Sequence, residues 1–128
     1  MRQLLIAFAV VLIAACSTVE GWMGAPAVPT KTADGALTNA AGMTLYTFDR
    51  DAAGSGKSVC NGPCATNWPP LMAAADAKAA GDYTIVTRDD GGKQWAYKGK
   101  PLYMWAKDAK PGDKTGDGFL KLWHVATQ

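Results

Sequence analysis

The sequence predicts a mainly β, small single domain made of two related β-hairpin or meander halves, with one short helix between them. Two observations predict this fold class. A Leu-Tyr-x-aromatic-x-x-Asp run occurs twice, at residues 45–51 and 102–108, and short glycine-containing turns separate the apolar runs. Because side chains alternate between the two faces of a strand, Tyr46 and Phe48 should share one face and Leu45 should point to the other.

The chain begins with a secretion signal over residues 1–15. Arg2 precedes an apolar run that is too short to span a bilayer. The run ends in Ile13-Ala14-Ala15-Cys16, which resembles the lipobox of bacterial lipoproteins. The resemblance implies that residues 1–15 are removed and that Cys16 carries acyl chains such as palmitate. In the lipoproteins that the motif resembles, an Asp after the cysteine favours the inner membrane. Ser17 at this position therefore implies an outer-membrane lipoprotein facing the periplasm. The alternative is an ordinary secretory peptide with an incidental cysteine.

The mature chain divides into a tether and one folded domain. Residues 16–32 form the lipidated N-terminus and a flexible tether, because they are rich in Gly, Pro, Ala and Thr and show no periodicity. Residues 33–128 have the size of one domain, and its two halves lie at about 34–73 and 82–126.

In the first half, the sequence predicts a hairpin. A strand at residues 36–39 is followed by a turn at 40–42 and then by the first Leu-Tyr run. After this half, residues 71–80 are rich in alanine and end at Gly81, which favours a short helix.

In the second half, the sequence predicts a meander. Residues 82–88 are apolar and β-branched, residues 89–92 form a strong Asp-Gly turn, and residues 94–97 alternate in polarity. A turn at 98–100 leads into the second Leu-Tyr run. Short connections of this kind favour neighbouring antiparallel strands.

The duplication extends beyond the Leu-Tyr run. Each copy is followed by an Asp-Gly-rich loop and then by a tryptophan, Trp68 in the first half and Trp123 in the second. A single hairpin with one apolar face is too small to be stable. We therefore expect the two halves to pack around a shared aromatic core.

Cys60 and Cys64 form an even pair once Cys16 is lipidated. The intervening Asn61-Gly62-Pro63 favours a turn, so the two sulfurs can meet in an oxidising compartment. We expect a structural disulfide. The alternative is a thiol–disulfide exchange site, although the spacing is CxxxC rather than CxxC.

Four linked motifs resemble a known bacterial lipoprotein family. They are GMTLYTFDRD, CNGPCATNWPPL, GGKQWAYKGKPLYMWAKD, and PGDKTGDG followed by WHV. The chain is similar over residues 34–126 to the lipoproteins with a Yx(FWY)xxD motif, a secreted repeat. The resemblance implies an envelope lipoprotein without an established reaction. The residues that match the motif are Tyr46, Phe48 and Asp51 in the first copy, and Tyr103, Trp105 and Asp108 in the second.

Two groups of residues are candidate metal ligands. Asp108, Asp113 and Asp117 lie among glycines and could wrap a hard cation, but nearby lysines would repel it, and tight turns with acidic acceptors explain the pattern more simply. His124 could form a soft metal site with methionines. The simpler interpretation is that His124 is a partly buried histidine or lies at a strand edge. The methionines considered are Met43, Met72 and Met104.

Aromatic residues suggest a binding role. Trp95 and Trp105 could belong to an exposed platform that stacks on a glycan or anchors a protein, although period-two placement favours the core for most rings. We found no catalytic motif and expect a non-catalytic binding module without a cofactor. The alternative is an extracytoplasmic metal-binding or redox protein. The formal net charge of +2 argues against nucleic acid as a partner.

Overall fold

The structure is a computed structural model that describes residues 30–128. The signal peptide, the lipidation site Cys16 and most of the tether lie outside the described residues. Residues 30–32, which the sequence analysis assigns to the tether, already belong to the first strand. Within the described range, no helix has the length and apolar character needed to cross a membrane.

Residues 30–128 form eight strands, one short α-helix and one 3-10 helix, so the mainly β fold class is confirmed. The strands are β1 (Thr30–Ala33), β2 (Ala36–Asn39), β3 (Tyr46–Phe48), β4 (Met72–Ala73), β5 (Tyr83–Thr87), β6 (Lys93–Tyr97), β7 (Lys100–Pro101) and β8 (Trp123–Val125). The helix α1 spans Pro63–Asn67, and the 3-10 helix spans Phe119–Lys121.

The first half opens with two consecutive hairpins. β1 pairs antiparallel with β2 across the turn at Asp34 and Gly35, which have φ angles of 53° and 82°. Two left-handed residues match the twist of a two-residue hairpin, and Asp-Gly favours this turn. β2 then turns back at residues 40–42, and the amide of Leu45 donates to the carbonyl of Leu37 at 2.9 Å. The predicted hairpin is therefore confirmed.

The second half forms the predicted meander. β5 pairs antiparallel with β6, and β6 pairs antiparallel with β7. Lys98 and Gly99 close the β6–β7 connection with φ angles of 51° and 84°. The second Leu-Tyr run is less regular than the first, because only Tyr103 of its aromatic pair forms a β-bridge.

The two halves exchange their last strands. β4 comes from the first half but pairs with β6 of the second, at Met72–Gln94 and Ala73–Lys93. β8 comes from the second half but pairs with β3 of the first. Each half therefore completes its partner's sheet, and the two form one domain.

Several backbone hydrogen bonds of one half have an equivalent in the other. The amide of Leu37 donates to the carbonyl of Ala126 at 2.8 Å, and the equivalent amide of Trp95 donates to the carbonyl of Leu71 at 2.9 Å. In the same way, the amide of Asp49 donates to the carbonyl of Leu122 at 2.8 Å, and the amide of Ala106 donates to the carbonyl of Asn67 at 2.9 Å. These bonds define equivalent positions in the two halves and confirm the internal duplication at the level of the backbone.

Strand alternation separates two apolar clusters. One cluster is aliphatic and contains Leu45, Leu102 and the ring of Trp95. The other is aromatic and contains Tyr46 and Tyr103 together with three tryptophans. Neighbouring residues of each Leu-Tyr run thus point into different cores, as the period of two predicts.

The prediction of a helix at residues 71–80 is wrong. Met72 and Ala73 form strand β4, and the remaining residues of this segment form turns and coil. Alanine favours helix only weakly, and here the carbonyl and amide of Leu71 are taken by Trp95 and Leu102 at 2.9 Å each. The observed helix α1 instead begins at Pro63 inside the disulfide loop, where proline suits the first helical turn.

Candidate functional site

Tyr46 and Tyr103 meet at the centre of the molecule. The amide of Tyr46 donates to the carbonyl of Tyr103 at 2.8 Å, and the amide of Tyr103 donates back at 3.0 Å. Both side chains are fully buried. The two copies of the repeated run are therefore joined through the same residue in each copy.

Each motif tyrosine binds the aspartate of the other copy. The hydroxyl of Tyr46 donates to Asp108 at 2.6 Å, and the hydroxyl of Tyr103 donates to Asp51 at 2.5 Å. Both aspartates are buried. The tyrosine and aspartate of the motif thus form two reciprocal links between the halves.

The motif aspartates also hold the loops that follow them. Asp51 accepts a hydrogen bond from the amide of Val59 at 2.8 Å. Asp108 accepts bonds from the amide and hydroxyl of Thr115, at 3.0 Å and 2.5 Å. The expected role of Asp108 as a turn acceptor is confirmed, and Asp51 has the same role in the first loop. Asp49, two residues before Asp51, instead lies 2.8 Å from the ring of His124.

Four aromatic rings form a continuous stack next to the tyrosines. Trp123 and Trp68 stack at the centre with ring centroids 3.8 Å apart and an interplanar angle of 1°. Phe48 stacks on Trp123 at 4.2 Å, and Trp105 stacks on Trp68 at 4.0 Å. The second aromatic of each motif therefore packs on the tryptophan of the other half. This stack is the predicted shared aromatic core.

Burial shifts the ionisation of the motif residues. Desolvation, and then the hydrogen bond to a carboxylate, raise the pKa of Tyr46 and of Tyr103 well above the ordinary 10.0. Burial also raises the pKa of Asp51, against the hydrogen bonds from Tyr103 and Val59 and the charge of Arg88. Both tyrosine hydroxyls therefore stay protonated and donate their hydrogen bonds to buried carboxylates.

A buried arginine distinguishes the first loop from the second. Arg88, which is 5% exposed, donates to Ser58 at 3.0 Å, to Gln94 at 2.8 Å and to the carbonyl of Cys60 at 2.6 Å. Ser58 in turn lies 2.6 Å from the Tyr103 hydroxyl. Sequence reasoning missed Arg88, since its partners come from separate segments and no local pattern marks it.

The predicted disulfide between Cys60 and Cys64 is present, with Cα atoms 5.2 Å apart. Cys60 has no exposed surface and belongs to the aromatic cluster. The bond therefore closes a loop against the core. That location matches the structural role expected from the sequence.

The candidate metal ligands have other partners. Asp113 accepts bonds from the amides of Ala109 and Lys110, and the ammonium of Lys110 lowers the pKa of Asp113. Asp117 accepts a bond from the amide of Val125 at 3.1 Å. Across residues 30–128, no three His, Cys, Asp or Glu side chains lie together in a way that could hold a metal ion. Asp108, Asp113 and Asp117 instead organise the turns of this loop.

The proposed exposed platform of Trp95 and Trp105 is wrong. The two residues are 5% and 7% exposed, because Trp95 points from β6 into the aliphatic core and Trp105 stacks on Trp68. Truncating either ring would therefore remove core packing.

An open cleft of about 230 Å³ lies between strands β3 and β8 and the β6–β7 turn. At its centre, Nε2 of His124 lies 2.8 Å from Asp49, and both side chains are about half exposed. We refer to this site as the polar cleft. Its polar lining consists of Thr47, Asp49, Lys98, Lys100, His124 and Thr127.

The polar cleft takes residues from both halves, and the equivalent site of the duplicated backbone is mainly apolar. The candidate methionine partners of His124, which are Met43, Met72 and Met104, lie at that equivalent site, outside the cleft. Five polar lining residues thus correspond to apolar ones: Thr47 to Met104, Asp49 to Ala106, Lys100 to Met43, His124 to Pro69 and Thr127 to Met72.

The fold and the central motif define a duplicated β domain whose halves are linked by Tyr–Asp pairs. A family model described as a secreted repeat of unknown function matches the chain twice, over residues 29–72 and 84–127. The chain therefore belongs to this family of secreted repeats. Each match includes the segment that crosses to the other half. No curated protein and no solved structure matches the chain.

Proposed function

We propose that this protein is a non-catalytic lipoprotein of the bacterial cell envelope that binds a glycan or a protein in the polar cleft. The observation that carries this proposal is the divergence of the two halves. Where the polar cleft has Thr47, Asp49 and His124, the equivalent positions of the duplicated backbone have Met104, Ala106 and Pro69. The polar set is therefore not required for folding, and ligand binding is a reason to keep it.

The location of the motif residues supports a role without catalysis. The tyrosines and aspartates of the motif bind one another in the interior, where they stabilise the joint between the halves. Their hydroxyl and carboxylate groups are not directed at the polar cleft, which they do not line. The motif thus supports the scaffold that carries the cleft.

Residues at the start of the chain support lipid anchoring. Ile13-Ala14-Ala15-Cys16 has the small residues and the cysteine that lipoprotein processing needs, and the disulfide suits an oxidising compartment. The wild-type protein should sediment with outer membranes, whereas a Cys16→Ser variant should be released into the soluble fraction. A wild-type protein recovered in soluble form, with an unmodified Cys16 by mass spectrometry, would contradict the anchor.

The duplication supplies a matched pair of variants for the binding proposal. Thr127 lines the polar cleft, and Met72 is the exposed residue at the equivalent position of the other half. Thr127→Trp should fill the cleft and weaken binding at least about tenfold, whereas Met72→Trp should bind like the wild type. The probes are purified peptidoglycan fragments, acidic and neutral oligosaccharides, and short peptides, measured by calorimetry. Equal binding by both variants would exclude the polar cleft as the site.

A further inference from the structure

We propose that the polar cleft recognises a sugar that bears a carboxylate, with Lys98 and Lys100 as the groups that bind the carboxylate. This inference rests on the proposed function and names the chemical class of its ligand. It is carried by the charges in the cleft, by the backbone of the turn that holds the two lysines, and by the side chains around them.

The charges of the cleft leave two cations for a ligand. The carboxylate of Asp49 lies 2.8 Å from Nε2 of His124, so the imidazole is already its hydrogen-bond partner. Lys98 and Lys100 are exposed, and neither forms a salt bridge with any residue of the 30–128 range. Two ammonium groups on either side of one glycine can bind the two oxygens of a carboxylate.

Lys98 lies at a turn position that other residue types fit better. It has a φ angle of 51°, a left-handed conformation that a lysine side chain disfavours. The first left-handed residue of the β1–β2 turn is Asp34, with a φ angle of 53°, and aspartate suits this conformation. At the β6–β7 turn, Lys98 instead places a cation among the residues that line the cleft.

The remaining lining fits a sugar ring. The hydroxyls of Thr47 and Thr127 can exchange hydrogen bonds with sugar hydroxyls. The ammonium of Lys98 lies 5.4 Å from the centroid of the half-buried Tyr97 ring, which holds this cation beside the cleft. A volume of about 230 Å³ suits one ring, and the open side lets a polymer continue into solvent. With Nε2 directed at Asp49, Nδ1 of His124 is a further polar atom for the ligand.

The test compares an acidic with a neutral oligosaccharide on the full chain purified in detergent. An oligouronate trimer should bind, and the neutral trimer with the same linkages should bind at least about tenfold more weakly, as expected for the loss of one charge-assisted contact. The affinity for the oligouronate should fall as salt is added. The free uronate monomer should bind more weakly than the trimer. Tighter binding of the monomer than of the trimer would identify a free sugar acid as the ligand.

The turn allows the cation to be removed without harming the fold. Lys98→Asn places a residue that favours the left-handed conformation at this position, so the melting temperature should stay the same or rise while oligouronate affinity falls about tenfold. Lys100→Gln should also weaken binding, and Lys78→Gln, at an exposed position that does not line the cleft, should not.

Four results would overturn the proposal, and they separate it from the proposed function. Equal affinity for the acidic and neutral trimers, or wild-type affinity of Lys98→Asn, would exclude carboxylate recognition by this turn. Preference for a peptide with a free C-terminal carboxylate would exclude the sugar but leave a binding cleft. Thr127→Trp without effect on any ligand would contradict both.

Discussion

Tyr46 and Tyr103 explain why each motif contains both a tyrosine and an aspartate. The tyrosine of one copy satisfies the buried carboxylate of the other, at 2.6 Å and 2.5 Å. Burying a carboxylate without a hydrogen-bond donor would lower the free energy of unfolding by about 1–3 kcal/mol or more. One oxygen of each carboxylate is bound within its own half and the other by the tyrosine of the other half, so the two copies satisfy each other's aspartates.

The raised tyrosine pKa values predict a loss of stability in alkali. In the unfolded chain Tyr46 and Tyr103 ionise near 10.0, whereas in the folded chain they stay protonated to higher pH. Their stabilising contribution is therefore complete below about pH 10 and is lost as the pH rises above it. Urea unfolding between about pH 8 and about pH 11 should show this fall. A Tyr46→Phe, Tyr103→Phe double variant should show a shallower one, and an equal slope would contradict the assignment.

Gly116 shows how closely the second loop approaches the ring stack. A Cβ atom at Gly116 would lie 2.7 Å from Trp68 and 3.0 Å from Trp105, both of which are held by stacking. Gly116→Ala should therefore lower the free energy of unfolding by about 1–3 kcal/mol, as other overpacked cores do.

Gly92 is the matched control for this prediction. Neither glycine has a positive φ angle, and a Cβ at Gly92 would lie 2.9 Å from the terminal methyl of the exposed Met72, which can move. Gly92→Ala should cost clearly less than Gly116→Ala in the same urea titration. Equal costs would show that contact with the rings is not the cause.

At the scale of elements, the two Asp-rich loops solve the same problem in different ways. Both follow a motif aspartate and cover the aromatic cluster. The first loop is closed by the disulfide and clamped by Arg88, whereas the second places Phe119 against Trp105 at 5.0 Å. The loops therefore differ in how they are held, while the strands beneath them correspond.

The disulfide should contribute modestly to stability. A loop this short stabilises the chain by about 2 kcal/mol in the chain-entropy model. A Cys60→Ser, Cys64→Ser double variant should lose about that amount in urea unfolding, and reduction of the wild type should give a similar loss. A variant as stable as the wild type would show that the core and Arg88 suffice to hold the loop.

At the scale of the whole molecule, the exchange of β4 and β8 makes the two halves interdependent. The central pair of the ring stack, Trp68 and Trp123, also takes one ring from each half. Without the other half, β3 has no partner, β6 lacks its partner β4, and the aromatic cluster is incomplete. We therefore expect a single cooperative unfolding transition.

Separated halves should fold only together. A cut in the exposed connection at residues 74–76 leaves each fragment without the strand that completes its sheet. Each fragment should be unfolded alone, and mixing them should restore the near-ultraviolet circular dichroism of the stacked tryptophans. A fragment that unfolds cooperatively by itself would contradict the strand exchange.

The sequence alone determined the features that depend on local patterns. The period of two in the Leu-Tyr runs assigns Leu45 and Tyr46 to different cores, and the Asp-Gly and Asp-Asp-Gly-Gly turns locate the hairpins. The order of repeated motifs predicts the duplication, and the short spacing of Cys60 and Cys64 predicts their disulfide. These patterns are readable because each arises from neighbours in the chain.

Only the tertiary structure decided which distant segments meet. The crossing of each tyrosine to the other aspartate, the clamp at Arg88 and the polar cleft all join residues far apart in sequence. Tertiary contacts also bury Trp95 and bring Met72 and Ala73 into a sheet, whereas ring exposure and alanine content had predicted an exposed ring and a helix. Local propensities are worth a few tenths of a kcal/mol per residue, and the packing of two interlocked halves outweighs them.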